Sequence, residues 1–120
     1  FSVPLGATIN MDGTAIMQGC ATFFLASLYG IDLGASEIIT IVITATIASI
    51  GTAGIPSAGI IMLTVIFTQI GIPLEGITLL LGVDRLLDMM RTSVNVSGDL
   101  CISCVIASSE NKINHKVFNS

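Results

Sequence analysis

Polar residues in this chain cluster at a few places between long apolar runs, and each cluster marks a point where a helix ends, breaks or carries charge. Phe1 to Ile9 reads as the end of a helix. Asn10-Met-Asp-Gly-Thr14 then sets Asn, Asp and Gly inside apolar sequence. These residues compete with helical hydrogen bonds or tolerate unusual backbone angles. Thr14 to Ile31 contains no charge, a run close to the ~20 residues that span a bilayer. The pattern predicts one membrane helix over residues 1–29, broken near Asn10–Gly13. A surface turn with a solvated Asp12 is the alternative, and the apolar flanks on both sides argue against it.

Gly30-Ile-Asp-Leu-Gly-Ala-Ser-Glu37 predicts a loop over 30–37, with Ser36 capping the next helix and Glu37 in its first turn. From Ile38 to Leu74 there is no charge at all. That run is too long for one span and too short for two full spans with a loop. Its centre, Ser49-Ile-Gly-Thr-Ala-Gly-Ile-Pro-Ser-Ala-Gly59, holds the helix breakers. The expected solution over 38–74 is a re-entrant hairpin of two short helices, with a non-helical tip near 49–59. Irregular backbone at membrane depth survives only inside protein or beside a wet cavity. Two ordinary short spans with a surface loop remain the alternative.

Gly71-Ile-Pro-Leu-Glu-Gly76 is a turn, and the pattern then predicts a long helix over 77–108. Between Gly82 and Asp99 it carries five of the chain's twelve charged residues. At about 100° per residue, Asp84, Asp88, Arg91, Asn95 and Asp99 share one face, within roughly 80°. Ionisable groups at membrane depth are costly, so a functional site is the default reading of that face. Residues 109–120 form a polar tail. Lys112, Lys116 and His115 make it the basic flank, which places it in the cytoplasm by the positive-inside rule.

Composition agrees with a membrane setting. The chain of 120 residues is 52% hydrophobic and 10% charged, with mean hydropathy +0.95, whereas soluble domains carry about 25% charged residues. The net charge of −4 and the lack of a basic patch in the sequence argue against nucleic acid as partner. The start at Phe1, in apolar sequence without an initiator Met, is expected of a piece of a longer chain. Cys20, Cys101 and Cys104 give no disulfide framework; Cys101-Ile-Ser-Cys104 is i,i+3 on a helix, and the three are expected as small apolar packers. The sequon Asn95-Val-Ser97 lies within the long helix and is expected to stay unmodified.

Broken helices around a polar midplane are the layout of secondary transporters. Asp12, Asp84, Asp88 and Asp99 outnumber Arg91, so the site calls for bound cations, protons or a cationic ligand group. Arg91 offers a forked donor for a carboxylate. An acidic zwitterion answers both demands.

Three segments together resemble the sodium-coupled glutamate/aspartate transporters and their dicarboxylate and neutral amino-acid relatives: Gly6-Ala-Thr-Ile-Asn-Met-Asp-Gly-Thr14, Ser49 to Gly59, and Asp84…Asp88-Met-Met-Arg-Thr-Ser-Val-Asn-Val-Ser-Gly-Asp99. The resemblance covers nearly all of the chain except the tail. It implies an all-α integral membrane fold, here the C-terminal part of a transport core: a broken transmembrane helix, a re-entrant hairpin and a long final helix. It implies one sodium between carbonyls of Gly6, Asn10 and Asn95 and the Asp99 carboxylate. A second would use Thr8, Met11, Ser49, Ile50 and Thr52, and a third Asp12 with the Asn10 side chain. Asp88 would take the substrate ammonium and Arg91 its distal carboxylate. Thr14, Thr92, Asn95, Ile55 and Gly59 would complete the contacts, and Asp84 would steady Arg91.

The resemblance further implies symport of aspartate or glutamate with sodium, no organic cofactor, a homotrimer in the full-length protein, and a plasma or inner membrane location. Asp99 favours sodium over proton coupling, Arg91 favours acidic substrates, and Asp88 favours amino acids over plain dicarboxylates. Two readings stand as alternatives: a proton-coupled or dicarboxylate-carrying member of the same family, and a cation channel lined by the Asp-rich face. The channel leaves Arg91 and the Gly/Pro segment unexplained. No nucleophile–base pair is visible in the sequence, so an enzyme is not expected.

Overall fold

The computed structural model describes residues 2–51 and 58–119, and every regular element among them is helical. The elements are α1 (Ser2–Ile9), α2 (Asp12–Leu28), α3 (Ala35–Gly51), α4 (Ala58–Ile70), a 3₁₀ turn (Leu74–Gly76), α5 (Ile77–Leu81), α6 (Asp84–Ser109) and α7 (His115–Phe118). The expected hairpin tip, with Thr52 and Ile55, lies largely outside the described residues.

The chain leaves the helix at Asn10 and Met11. Asn10 N still donates to Gly6 O at 2.9 Å, and Met11 then departs to φ −107°, ψ 61°. Helix α2 restarts with Thr14 N and Ala15 N donating to Met11 O at 3.0 and 3.2 Å. Met11 offers no side-chain cap. The exposed start of α2 is instead capped from another helix, because Gly13 N donates to Asn95 Oδ1 at 2.8 Å. Asp12 sits in the first turn, where the helix dipole favours a carboxylate.

Helix α2 closes with Ile31 N donating to Ala26 O and Gly30 at φ 66°; α4 closes with Ile72 N donating to Phe67 O and Gly71 at φ 82°. Both are left-handed glycine stops. Helix α3 begins at Ala35, ahead of the expected cap, so Ser36 lies inside the first turn beside Glu37.

Burial repeats at helical spacing. Met17, Ala21, Leu25 and Ala26 of α2 pack on Ile41 and Ala45 of α3, on Leu63, Ile66 and Phe67 of α4, and on Ile72 and Leu80. Thr44 Oγ1 donates to Gln69 Oε1 at 2.9 Å and ties α3 to α4.

Two differences from the sequence reading concern the last third of the chain. The expected single helix over 77–108 is divided, because Val83 takes φ −115°, ψ 1° and α6 starts anew at Asp84. The polar tail also holds a regular element that the pattern did not predict, the short α7 over residues 115–118. A third difference is that Cys20, Cys101 and Cys104 are exposed rather than packed.

Among the described residues, no helix is long and apolar enough to cross a membrane by itself. The physical reason is plain in two places. The break at Asn10–Met11 divides the first apolar run into 8 and 17 residues. The longest helix, α6, has 26 residues but carries Asp84, Arg85, Asp88, Arg91 and Asp99. Large apolar side chains are exposed on several helices, among them Ile47, Ile61, Val65, Leu86, Met89 and Val105.

Candidate functional site

Helix α6 buries only two described residues, Asp84 and Arg91, and both are charged. Its apolar residues, such as Leu86, Met89, Met90 and Leu100, face outward. Since an unpaired buried charge is strongly unfavourable, the inward face of α6 must be compensated by what it meets.

The upper end of that face meets the break between α1 and α2. Asn10 Nδ2 donates to Asp99 Oδ1 at 2.8 Å. The helices approach so closely that a methyl group on Gly6 would fall on the Asp99 carboxylate, and one on Gly98 would lie 3.2 Å from both Asn10 Nδ2 and Asp12 Oδ2. Two carboxylates, Asp12 and Asp99, therefore flank one amide at a point where α1 has just ended. The described residues hold no group of three or more His, Cys, Asp or Glu that could bind a metal. The side-chain acceptors gathered here are oxygens, from two carboxylates and one amide. That set suits a hard cation.

The candidates for a second cation are more scattered. Thr8 donates its hydroxyl to Leu5 O at 3.0 Å, and Ser49 donates to Thr46 O at 2.8 Å. Met11 and Ser49 are buried, while Ile50 is exposed. Helices α1 and α3 are in contact. Thr52 lies outside the described residues.

One turn down α6, Asn95 bridges to α2. Besides capping Gly13, its Nδ2 stands 3.4 Å from Thr14 Oγ1. Thr14 is buried and Thr92 exposed. A further turn down, Arg91 is ion-paired with Asp88 through Nη2. This changes the expected arrangement: the two groups assigned to opposite ends of a ligand are here neutralising each other. Arg91 reaches α4 as well, since its Nη1 lies where a side chain on Gly59 would sit. Only glycine leaves room there. Nη1 has no hydrogen-bond partner among the described residues. Asp84, on the same face, is 5% exposed. Ile55 lies outside the described residues. Beside Arg91, an apolar cavity of about 440 Å³ opens between α2 and α6, lined by Ile16, Met17, Phe24, Leu87 and Met90 among others.

The sequence reading missed Gln18. It is fully buried, and neither Nε2 nor Oε1 has a hydrogen-bond partner among the described residues. Such groups are rare and cost roughly 1–3 kcal/mol each when buried unpaired. The available signal was its position: the one amide side chain in the uncharged run from Thr14 to Ile31, a single helical turn from Thr14.

The model of the sodium:dicarboxylate symporter family matches residues 1–109. The chain belongs to that family. Among its relatives, excitatory amino acid transporter 2 of Homo sapiens is 54% identical over 99 residues, which cover 82% of this chain and 17% of that protein. Excitatory amino acid transporter 3 of Mus musculus is 52% identical over 99 residues, 82% of this chain and 19% of the relative. Excitatory amino acid transporter 1 of Rattus norvegicus is 52% identical over 99 residues, covering 82% and 18%. The chain thus spans less than a fifth of the length of these curated relatives. The matched family region ends where α6 ends, so the tail with α7 falls outside it.

Proposed function

We propose that this chain is the C-terminal part of the transport core of a sodium-coupled secondary transporter for aspartate or glutamate. In this reading residues 1–29 are a broken transmembrane helix, 38–74 a re-entrant hairpin with its tip near 49–59, and 77–108 the final transmembrane segment. The tail over 109–120 is cytoplasmic, the full-length protein sits in the plasma or inner membrane as a homotrimer, and no chemical transformation occurs. Family membership and the names of the relatives support the reading.

The observation that carries it is the buried Arg91, paired with Asp88 and seated against Gly59 of α4. An α-amino dicarboxylate can replace that internal pair with two new ones, its ammonium on Asp88 and its distal carboxylate on Arg91. The ammonium and the distal carboxylate then each face an opposite charge, while the α-carboxylate brings one further negative charge to the site. Thr14, Thr92, Asn95, Gly59 and Ile55 would border the ligand, with Asp84 steadying Arg91. Sodium, as co-transported substrate, would neutralise the remaining carboxylates. Asp99, Gly6, Asn10 and Asn95 would hold one ion, Asp12 and Asn10 another, and Thr8, Met11, Ser49, Ile50 and Thr52 a third. The hairpin then closes over the loaded site, and the core changes its side of exposure.

The test is uptake by the full-length protein in sealed vesicles. Wild type accumulates aspartate under an inward sodium gradient, and Arg91→Ala does not. Equal aspartate uptake by the two would sink the substrate assignment. Equal uptake on a proton gradient without sodium would sink the coupling ion.

A further inference from the structure

We infer that Gln18 is a further ligand-binding residue of this site, acting at the distal carboxylate together with Arg91. The inference rests on the proposed assignment of Arg91 to that carboxylate. Its starting point is a pair of buried, unpartnered polar groups: the whole amide of Gln18, which is 0% exposed, and Nη1 of Arg91. The register of α2 against α6 sets them at one level. Asn10 meets Asp99, Gly13 meets Asn95, and Phe24 shares a cavity with Leu80 and Val83, so the two helices run antiparallel. One turn onward from Thr14 on α2 is Gln18. One turn back from Asn95 on α6 is Arg91.

The two groups are chemically complementary. Arg91 Nη1 is a donor; Gln18 supplies an acceptor in Oε1 and a donor in Nε2. An entering carboxylate draws Arg91 away from Asp88 and leaves room for one arrangement in which every buried group is used. Gln18 Oε1 accepts from the guanidinium, while Nε2 donates to a carboxylate oxygen. An amide does this without adding charge to a site already rich in carboxylate. Thr22 does not compete for it, since its hydroxyl donates to the Gln18 backbone carbonyl at 2.7 Å.

The experiment uses the full-length protein with Gln18→Leu, which keeps the volume and removes both polar atoms. Two quantities are read: aspartate affinity in saturating sodium, and the sodium dependence of thermal stability without aspartate. Aspartate affinity is expected to fall about tenfold or more, as for a lost hydrogen bond to a charged group, with sodium dependence unchanged. Unchanged aspartate affinity overturns the inference. A parallel loss of sodium dependence also overturns it, because it makes Gln18 a general structural residue. If wild type itself binds no acidic amino acid, it is the proposed function that fails, which separates the two failures.

Discussion

Two stretches of α2 are packed by opposite kinds of neighbour. From Ala21 to Ala26 the buried residues meet Ile41, Ala45, Leu63, Ile66 and Phe67, an apolar core between α2, α3 and α4. From Asp12 to Gln18 the polar groups belong to the side of α2 that meets α6: Asp12 lies by Gly98, Gly13 by Arg91 and Asn95, and Thr14 by the Asn95 amide. The first stretch is stabilised by apolar burial and needs no ligand. The second is held by polar groups whose demands are only partly met within the chain, as the unpartnered Nη1 of Arg91 and amide of Gln18 record. On the proposed function, the same helix is a fixed support at one end and a binding wall at the other.

This division can be broken by substitution at either end, in full-length protein. The largest expected effect is on binding: Arg91→Ala should weaken aspartate affinity at least a hundredfold, as for truncation of a buried charged partner. Gly59→Val should come close to that loss, because a side chain there occupies the position of the guanidinium; isothermal titration reads both. At the apolar end, Phe67→Ala should cost about 3–5 kcal/mol of stability, seen as a lowered melting temperature with aspartate affinity unchanged in the folded fraction. Asp99→Asn should weaken apparent sodium affinity about tenfold, the scale of one charge-assisted contact, and a sodium titration of thermal stability measures it. The smallest effect is expected for Thr44→Val, about 0.5–1.5 kcal/mol for one hydrogen bond between α3 and α4. Loss of aspartate affinity in Phe67→Ala would erase the distinction between support and binding wall.

The break between α1 and α2 was legible because Asn10, Asp12 and Gly13 interrupt apolar sequence in a way a continuous helix does not favour. The stops at Gly30 and Gly71 were legible for a similar local reason. The turn at Val83 was not, since Leu79, Leu80, Val83, Leu86 and Leu87 keep a helical period across it, and the departure lies in one residue's backbone. Within the candidate site, the shared face of Asp88, Arg91, Asn95 and Asp99 followed from helical spacing alone. The pairing of Asp88 with Arg91 did not, because residues three apart can be read either as mutual partners or as two ligand contacts. Capping of α2 by Asn95 and the isolation of Gln18 depend on which helices meet, which one helix's pattern does not specify.

The central claim is that an acidic amino acid and sodium are bound by one wall. It is tested most directly by the aspartate dissociation constant of the full-length protein, measured with sodium and with sodium replaced by choline. The account predicts that the constant is lower in sodium by at least tenfold, and that Asp99→Asn narrows the difference. An identical constant in the two salts would contradict it.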